Sequence, residues 1–416
     1  MGNKETSSRH RALQTIALIV ILLIGVSLRL FLVHHGKTKL QLWGDEWQYH
    51  EIGWSLATGH GYRLCGHLTA GRVPVTPLLV AAIYASTGKY NEFYPQSAWA
   101  FLDIVNCLLV FALAVVVSRS RTIGVIAAAM YMFHPVFTRL SSHVLTEVPF
   151  IAMFLSSLLL LILYWRSKSW KLLCLSGMAM GLSMLSRPTT VLFPMIVIAL
   201  MFVEARREKS PWIAMAVLYV IVTGAVVAPW TIRCSLLFKE FVPLSTYGGW
   251  GLWSGAGTGP HGEILMGPWV DKPAQKVVDT YSEVDADRYL KKEAIRVIMK
   301  DPLHWIALDI GKFFTLWFRM FKPESCTLLG ILLGLSNLLI LVFAWWGTRL
   351  TGNRMLMQLL ISVFVYFSIM HMATYAELRY AAPAYAYMIP FATIGLIAWL
   401  SRFVPALRTI ASEIRP

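Results

Sequence analysis

Asp45 and Glu46 stand side by side in a chain with only 22 acidic residues. Adjacent carboxylates suit a general base with a second acid beside it. An aspartate directly before a helical run, here Glu46 to Leu56, suits a helix N-cap equally well. From the residues alone both readings stay open. Arg72, Arg187, Arg233 and Arg379 are spread through the rest of the chain. A guanidinium keeps its charge and its fork matches phosphate oxygens. The plainer reading of Arg187, Arg233 and Arg379 is a side chain snorkelling from the end of a span. Glu147, four residues after His143, and the run Glu377-Leu-Arg379-Tyr380 add further polar groups. His143 and Glu147 have the i, i+4 spacing of two metal ligands, but a helix-end polar pair is the commoner meaning, and no metal or other cofactor is expected. The remaining histidines and the five cysteines show no ligand spacing. Asp103 and Asn106, three apart inside an apolar block, read as a structural polar pair between helices. Cys65 and Cys234 are placed so that a disulfide between them stays open.

The elements that must position these groups are helices in a membrane. Of 416 residues, 57% are hydrophobic and 14% charged, against about 25% charged in a soluble domain. The apolar residues come in continuous blocks of about 18–23, enough to cross a hydrocarbon core about 30 Å thick. Continuous rather than alternating runs exclude a transmembrane barrel. The expectation is an all-α polytopic membrane protein with ten spans, near residues 13–33, 97–117, 121–136, 147–165, 171–186, 189–203, 212–229, 326–347, 355–373 and 381–400. Pro74 to Thr87 is short, and Leu303 to Phe321 is interrupted by Asp309, Lys312 and Arg319. Both are expected as amphipathic helices in the outer interface. One long loop, with a Gly/Trp-rich stretch from Tyr247 to Gly257 and a charged helical segment from Asp285 to Lys300, separates the two groups of spans. The chain then divides into a catalytic transmembrane module with the first outer loop (1–230), a long outer loop (231–302), and an interfacial helix with three spans (303–416).

The net charge of +15 is a topology signal. Arg119/Arg121, Arg166/Lys168/Lys171, Arg206/Arg207/Lys209, Arg349/Arg354 and Arg402/Arg408/Arg415, with Lys4, Arg9 and Arg11, hold 16 of the 37 basic residues. Basic clusters beside spans mark the cytoplasmic side. All fall on one side if both termini are cytoplasmic, as for a protein of a bacterial inner membrane. Nucleic acid is not needed as a partner, and membrane lipid is. The candidate site residues gather at the opposite, outer ends of the spans. Ionisable groups at membrane depth default to function, and arginines in short outer loops run against the usual bias.

Several segments together resemble the GT-C glycosyltransferases, and within them the branch of protein O-mannosyltransferases and lipid A aminoarabinose transferases. They are Ser27-Leu-Arg29-Leu, the run from Gly44-Asp-Glu-Trp to Tyr62, Arg72-Val-Pro-Val-Thr-Pro77, Leu145-Thr-Glu-Val-Pro149, Leu185-Ser-Arg-Pro188, Pro229-Trp-Thr-Ile-Arg233, Asp301-Pro302 and Glu377-Leu-Arg-Tyr-Ala-Ala-Pro383. The resemblance implies a GT-C fold and a sugar carried on a polyprenyl phosphate. It implies inverting transfer to a lipid, glycan or protein hydroxyl at the outer face, with Asp45 as base supported by Glu46. It also implies basic donor-phosphate contacts at Arg72 and Arg233, more loosely at Arg379 and Arg187. Glu147, His143, Glu377, Tyr380 and Tyr62 would support the site or the acceptor. The alternatives are a lipid or solute transporter, which usually carries internal repeats and midplane charges, and a GT-C oligosaccharide or glycan ligase.

Overall fold

The computed structural model describes residues 2–35, 45–208, 211–257, 272–318 and 328–413. Gly44, Lys209, Arg319 and Arg415, named above, lie outside these ranges. With no water at membrane depth, an apolar segment must satisfy its backbone internally, and a helix does so. The helices are α1 (Gly2–His35), α2 (Glu46–Ala57), α3 (Val75–Thr87), α4 (Phe93–Ser118), α5 (Arg121–Phe133), α6 (Pro135–Leu140), α7 (Glu147–Ser167), α8 (Trp170–Ser186), α9 (Phe193–Glu208) and α10 (Trp212–Phe238). There follow α11 (Gly248–Gly255), α12 (Lys272–Thr280), α13 (Glu283–Lys300), α14 (Pro302–Trp317), α15 (Leu328–Leu350), α16 (Arg354–Met372), α17 (Ala382–Leu400) and α18 (Arg408–Ser412). A small hairpin, β1 (Arg63–Leu64) with β2 (His67–Leu68), interrupts them. Its turn places Cys65 and Gly66 at positive φ, 50° and 76°, the backbone that a two-residue hairpin demands.

Eight of these helices, α1, α4, α7, α9, α10, α15, α16 and α17, are long and apolar enough to cross a membrane. The chain is a multi-pass membrane protein. The expected span 121–136 falls on the shorter α5, of 13 residues, while 171–186 is matched by α8, of 17 residues. Both are cut by proline. Pro135 forces His134 out of the helical region, to φ −70° and ψ 128°, and a new helix starts behind it. Pro188 does the same to Arg187, at φ −153° and ψ 118°. The two interrupted segments fold as the short helices α3 and α14, of 13 and 16 residues.

The core lies around α17, where every residue from 381 to 395 is buried. Its backbone touches that of α15. A Cβ on Gly347 would stand 1.9 Å from the Phe391 carbonyl oxygen, and one on Gly395 2.3 Å from that of Phe343. Small residues let membrane helices approach this closely. Arg29 of α1 is fully buried and donates from Nε to Asp103 at 2.9 Å. Asp103 also accepts from Tyr131 at 2.6 Å and from Asn106 at 2.9 Å. Asn106 reaches on to the Val148 carbonyl at 3.1 Å, and Trp99 donates to the Leu145 carbonyl at 2.8 Å. Asp103 and Asn106 therefore hold helices together, as their spacing suggested, and α4 fixes the start of α7.

Candidate active site

Asp45 occupies the N-cap position of α2 without capping it. Its backbone is at φ −84° and ψ −7°, and its side chain accepts no bond from the first turn. The carboxylate turns instead to Arg72, whose Nη2 donates to Oδ1 at 2.6 Å. Arg72 Nε donates to Gln48 at 2.6 Å. Gln48 lies three residues after Asp45, on the same helix face. The Arg72 guanidinium also lies 4.9 Å from the Tyr247 ring and 5.5 Å from that of Tyr49. Its backbone is held by Tyr62, whose hydroxyl donates to the Arg72 carbonyl at 2.9 Å. Asp45 keeps 34% of its side chain exposed, so a substrate can reach it.

A second arginine comes from the turn between α16 and α17. Arg379 Nη2 stands 3.9 Å from Asp45 Oδ2, and its Nε 3.8 Å from Glu147. The same Nε is bonded to Glu377, which accepts from the Tyr375 hydroxyl at 3.0 Å. The third is Arg187, turned outward by its extended backbone before Pro188. It donates to Glu147 at 2.8 Å and lies 4.1 Å from the Tyr380 ring, on which His371 stacks at 4.9 Å. Burial pushes the Asp45 carboxyl up. Arg72, Arg379 and Arg187 more than offset this and leave it below its ordinary 3.8. Burial likewise opposes the Arg72 charge, and Asp45 outweighs it, so Arg72 titrates above its usual range. The arrangement is three guanidinium groups interleaved with three carboxylates, of which Asp45 is the most exposed.

Glu46 points elsewhere. It is buried, and accepts from the Val144 amide at 2.8 Å and from Gln96 at 3.1 Å. His143 Nδ1 lies 3.1 Å from its other oxygen. Burial alone would raise the Glu46 carboxyl, but His143, His50 and the Val144 amide hold it well below its ordinary 4.5. Glu46 thus ties α2 to the segment before α7. His143 and Glu147 do not converge on one ion: the first faces Glu46 and the second Arg187. Among the described residues no three His, Cys, Asp or Glu side chains could hold a metal together.

Arg233 stands apart from the Asp45 ring. It lies 5.0 Å from the Tyr62 ring and 4.8 Å from that of Trp230, and donates to the Thr69 carbonyl at 2.6 Å. It lines a cleft of about 550 Å³ whose other walls are Leu68, Pro229, Ile232, Leu236 and Leu237. Tyr62 joins the two places, touching Arg233 with its ring and the Arg72 backbone with its hydroxyl. Cys65 and Cys234 are both free thiols, one exposed and one buried in α10, so the disulfide left open above does not form.

The family model of dolichyl-phosphate-mannose-protein mannosyltransferase matches residues 72–231. The archaeal oligosaccharyltransferase AglB from Archaeoglobus fulgidus, in complex with an inhibitory peptide and a dolichol-phosphate, superposes with a TM-score of 0.60 at 15% identity, over 96% of this chain and 52% of that one. The chain has the GT-C fold. The apo form of the Archaeoglobus fulgidus enzyme gives a TM-score of 0.59 at 14% identity over 95% of this chain and 52% of that one, so this chain spans about half the length of those proteins. ArnT from Cupriavidus metallidurans bound to undecaprenyl phosphate gives a TM-score of 0.43 at 12% identity, over 96% of this chain and 80% of that one. No curated protein matches the sequence significantly.

Within this GT-C fold, the site holds side chains that the sequence did not mark. Gln48 had a signal, its i+3 spacing from Asp45. Tyr49 had the same signal, at i+4 from Asp45 on α2, and Tyr375 stands two residues before Glu377; Tyr247 had none, since it reaches Arg72 from a segment distant in sequence.

Proposed function

We propose that this protein is an inverting glycosyltransferase. It moves a single sugar from a polyprenyl-phosphate carrier to an acceptor hydroxyl, on a lipid, glycan or protein, at the outer face of the membrane. The observation that carries the reading is the partly exposed Asp45 carboxylate inside the ring of Arg72, Arg379 and Arg187. A glycosidase needs a second carboxyl to protonate a poor alkoxide leaving group. A phosphate leaves as a stable anion, and fixed cations can take the place of that acid. In the reaction, the acceptor oxygen forms its bond to the anomeric carbon opposite the phosphate. The bond from that carbon to the phosphate oxygen breaks, Asp45 takes the acceptor proton, and the arginines receive the departing charge. The apolar cleft beside Arg233 suits the first isoprene units of the carrier, with Arg233 at its polar end. The AglB structure of similar fold was captured with a dolichol-phosphate, which fits the same reading. The experiment is mass spectrometry of polyprenyl-linked sugars in cells with and without the protein. A single-sugar polyprenyl phosphate should accumulate when it is absent. Accumulation of a multi-sugar carrier would make it a ligase, and no change in any carrier would remove the donor class.

A further inference from the structure

A second polar cleft lies at the other end of the bundle. Its volume is about 430 Å³, and it is walled by the ends of α7 and α9 and by the turn from α15 into α16. Glu147 at the start of α7 belongs to the site above, and Arg166 on this cleft is 19 residues further on, about 28 Å along the helix. Arg166 and Arg354 line the cleft with exposed guanidinium groups. Its one carboxylate, Glu204, is already paired with Lys168. The first amides of α16 are taken by Asn353, whose side chain accepts from Met355 at 2.9 Å and Leu356 at 3.2 Å. The cations therefore come from side chains, not from the helix end. Trp165, also on the wall, carries a buried indole N–H with no hydrogen-bond partner, and a buried unsatisfied donor is costly. Among the described residues, the cleft thus offers two guanidinium groups with no ion-pair partner, at the end of the bundle away from the Asp45 site.

We infer that this cleft binds a phosphate-bearing anion, the headgroup of an acidic phospholipid in the leaflet opposite the catalytic site. Basic pockets between membrane helices hold such headgroups, and guanidinium forks match their phosphate oxygens. The proposal is independent of the transferase reading, because no residue of the cleft touches the Asp45 ring. Native mass spectrometry of the purified protein in detergent tests it, with phosphatidylglycerol titrated against phosphatidylcholine. In a separate arm, glycerol phosphate and inorganic phosphate are the competitors. Phosphatidylglycerol should be retained preferentially, and Arg166→Gln with Arg354→Gln should weaken it about tenfold or more. Glu204→Gln should strengthen retention, because it removes the one negative charge on the cleft wall. Arg288→Ala, on exposed α13, should leave retention unchanged. Displacement by millimolar inorganic phosphate would keep the anion chemistry but assign a free phosphate as the source. Equal retention in the double variant and the unaltered protein, both folded by thermal melt, would overturn the proposal. Weaker retention in Glu204→Gln would overturn it too.

Discussion

The Asp45 carboxylate is tied to Arg72 at 2.6 Å, and a donor phosphate entering the ring would compete for the same guanidinium. Asp45→Asn should therefore do two things at once. Turnover should fall about 10²- to 10⁴-fold, the usual cost of losing a general base, while the donor binds several-fold more tightly because Arg72 is released. Isothermal titration with purified donor, beside a turnover assay, reads both. Weaker donor binding with full turnover would return Asp45 to a structural role. The arginines make the opposite prediction. Arg72→Ala and Arg379→Ala should each weaken donor saturation by roughly 10- to 150-fold, the loss of one charge-assisted partner at about 1.5–3 kcal/mol. Lysine should rescue only in part, since it keeps the charge and loses the fork. Arg233, beside the apolar cleft and outside the ring, should act on KM for the lipid donor more than on kcat. Equal kcat losses in Arg233→Ala and Arg72→Ala would place both at the reacting phosphate.

At the scale of elements, the Glu46 tie decides where α2 sits. Its folded pKa lies below the ordinary 4.5, so its stabilisation is complete above that value and is lost as pH falls through the folded value. Glu46→Gln should lower thermal stability at pH 7, by about 1–3 kcal/mol for a buried bond network left incomplete. The difference from the unaltered protein should shrink once the pH drops well below 4.5. Melting curves from pH 7 to 3 check this; a constant gap would remove the ionised carboxylate as its cause. The sequence showed that Asp45 and Glu46 were adjacent and that a helix began there. It could not show that neighbours about 100° apart on a helix face different partners, one the arginine ring and the other His143. The spans were legible because burial in lipid demands long apolar runs. The turn at Arg187-Pro188 was legible too, but the one at Pro135 was not, because that proline shortens a helix without breaking the apolar run. The Gly/Trp-rich stretch was visible but mute. A Cβ on Gly249 would stand 2.0 Å from the Asp287 carbonyl oxygen, and one on Gly255 1.7 Å from that of Thr374. These glycines let α11 lie against α13 and against the strand of chain that leads to Arg379. Such contacts join residues more than 30 positions apart, and no local pattern announces them.

For the whole molecule, the two ends of the bundle differ in kind. One end gathers Asp45, Glu147, Glu377 and three guanidinium groups into mutual ion pairs. The other carries Arg119, Arg166, Lys168, Arg206, Arg349, Arg354 and Arg402, with far fewer acids to balance them. Basic residues next to spans stay in the cytoplasm, so the site end should face outward. Lys89 and Lys171 are both exposed, the first behind α3 at the site end and the second at the start of α8 at the far end. In a Cys65→Ser background, Lys89→Cys should react with a membrane-impermeant maleimide on intact cells, and Lys171→Cys only after permeabilisation. Reaction of both from one side would break the assignment of the two ends of the bundle to opposite faces of the membrane. The reverse pattern would turn Asp45 toward the cytoplasm, where the donor would have to be presented on the inner leaflet and the acceptor would be made inside the cell.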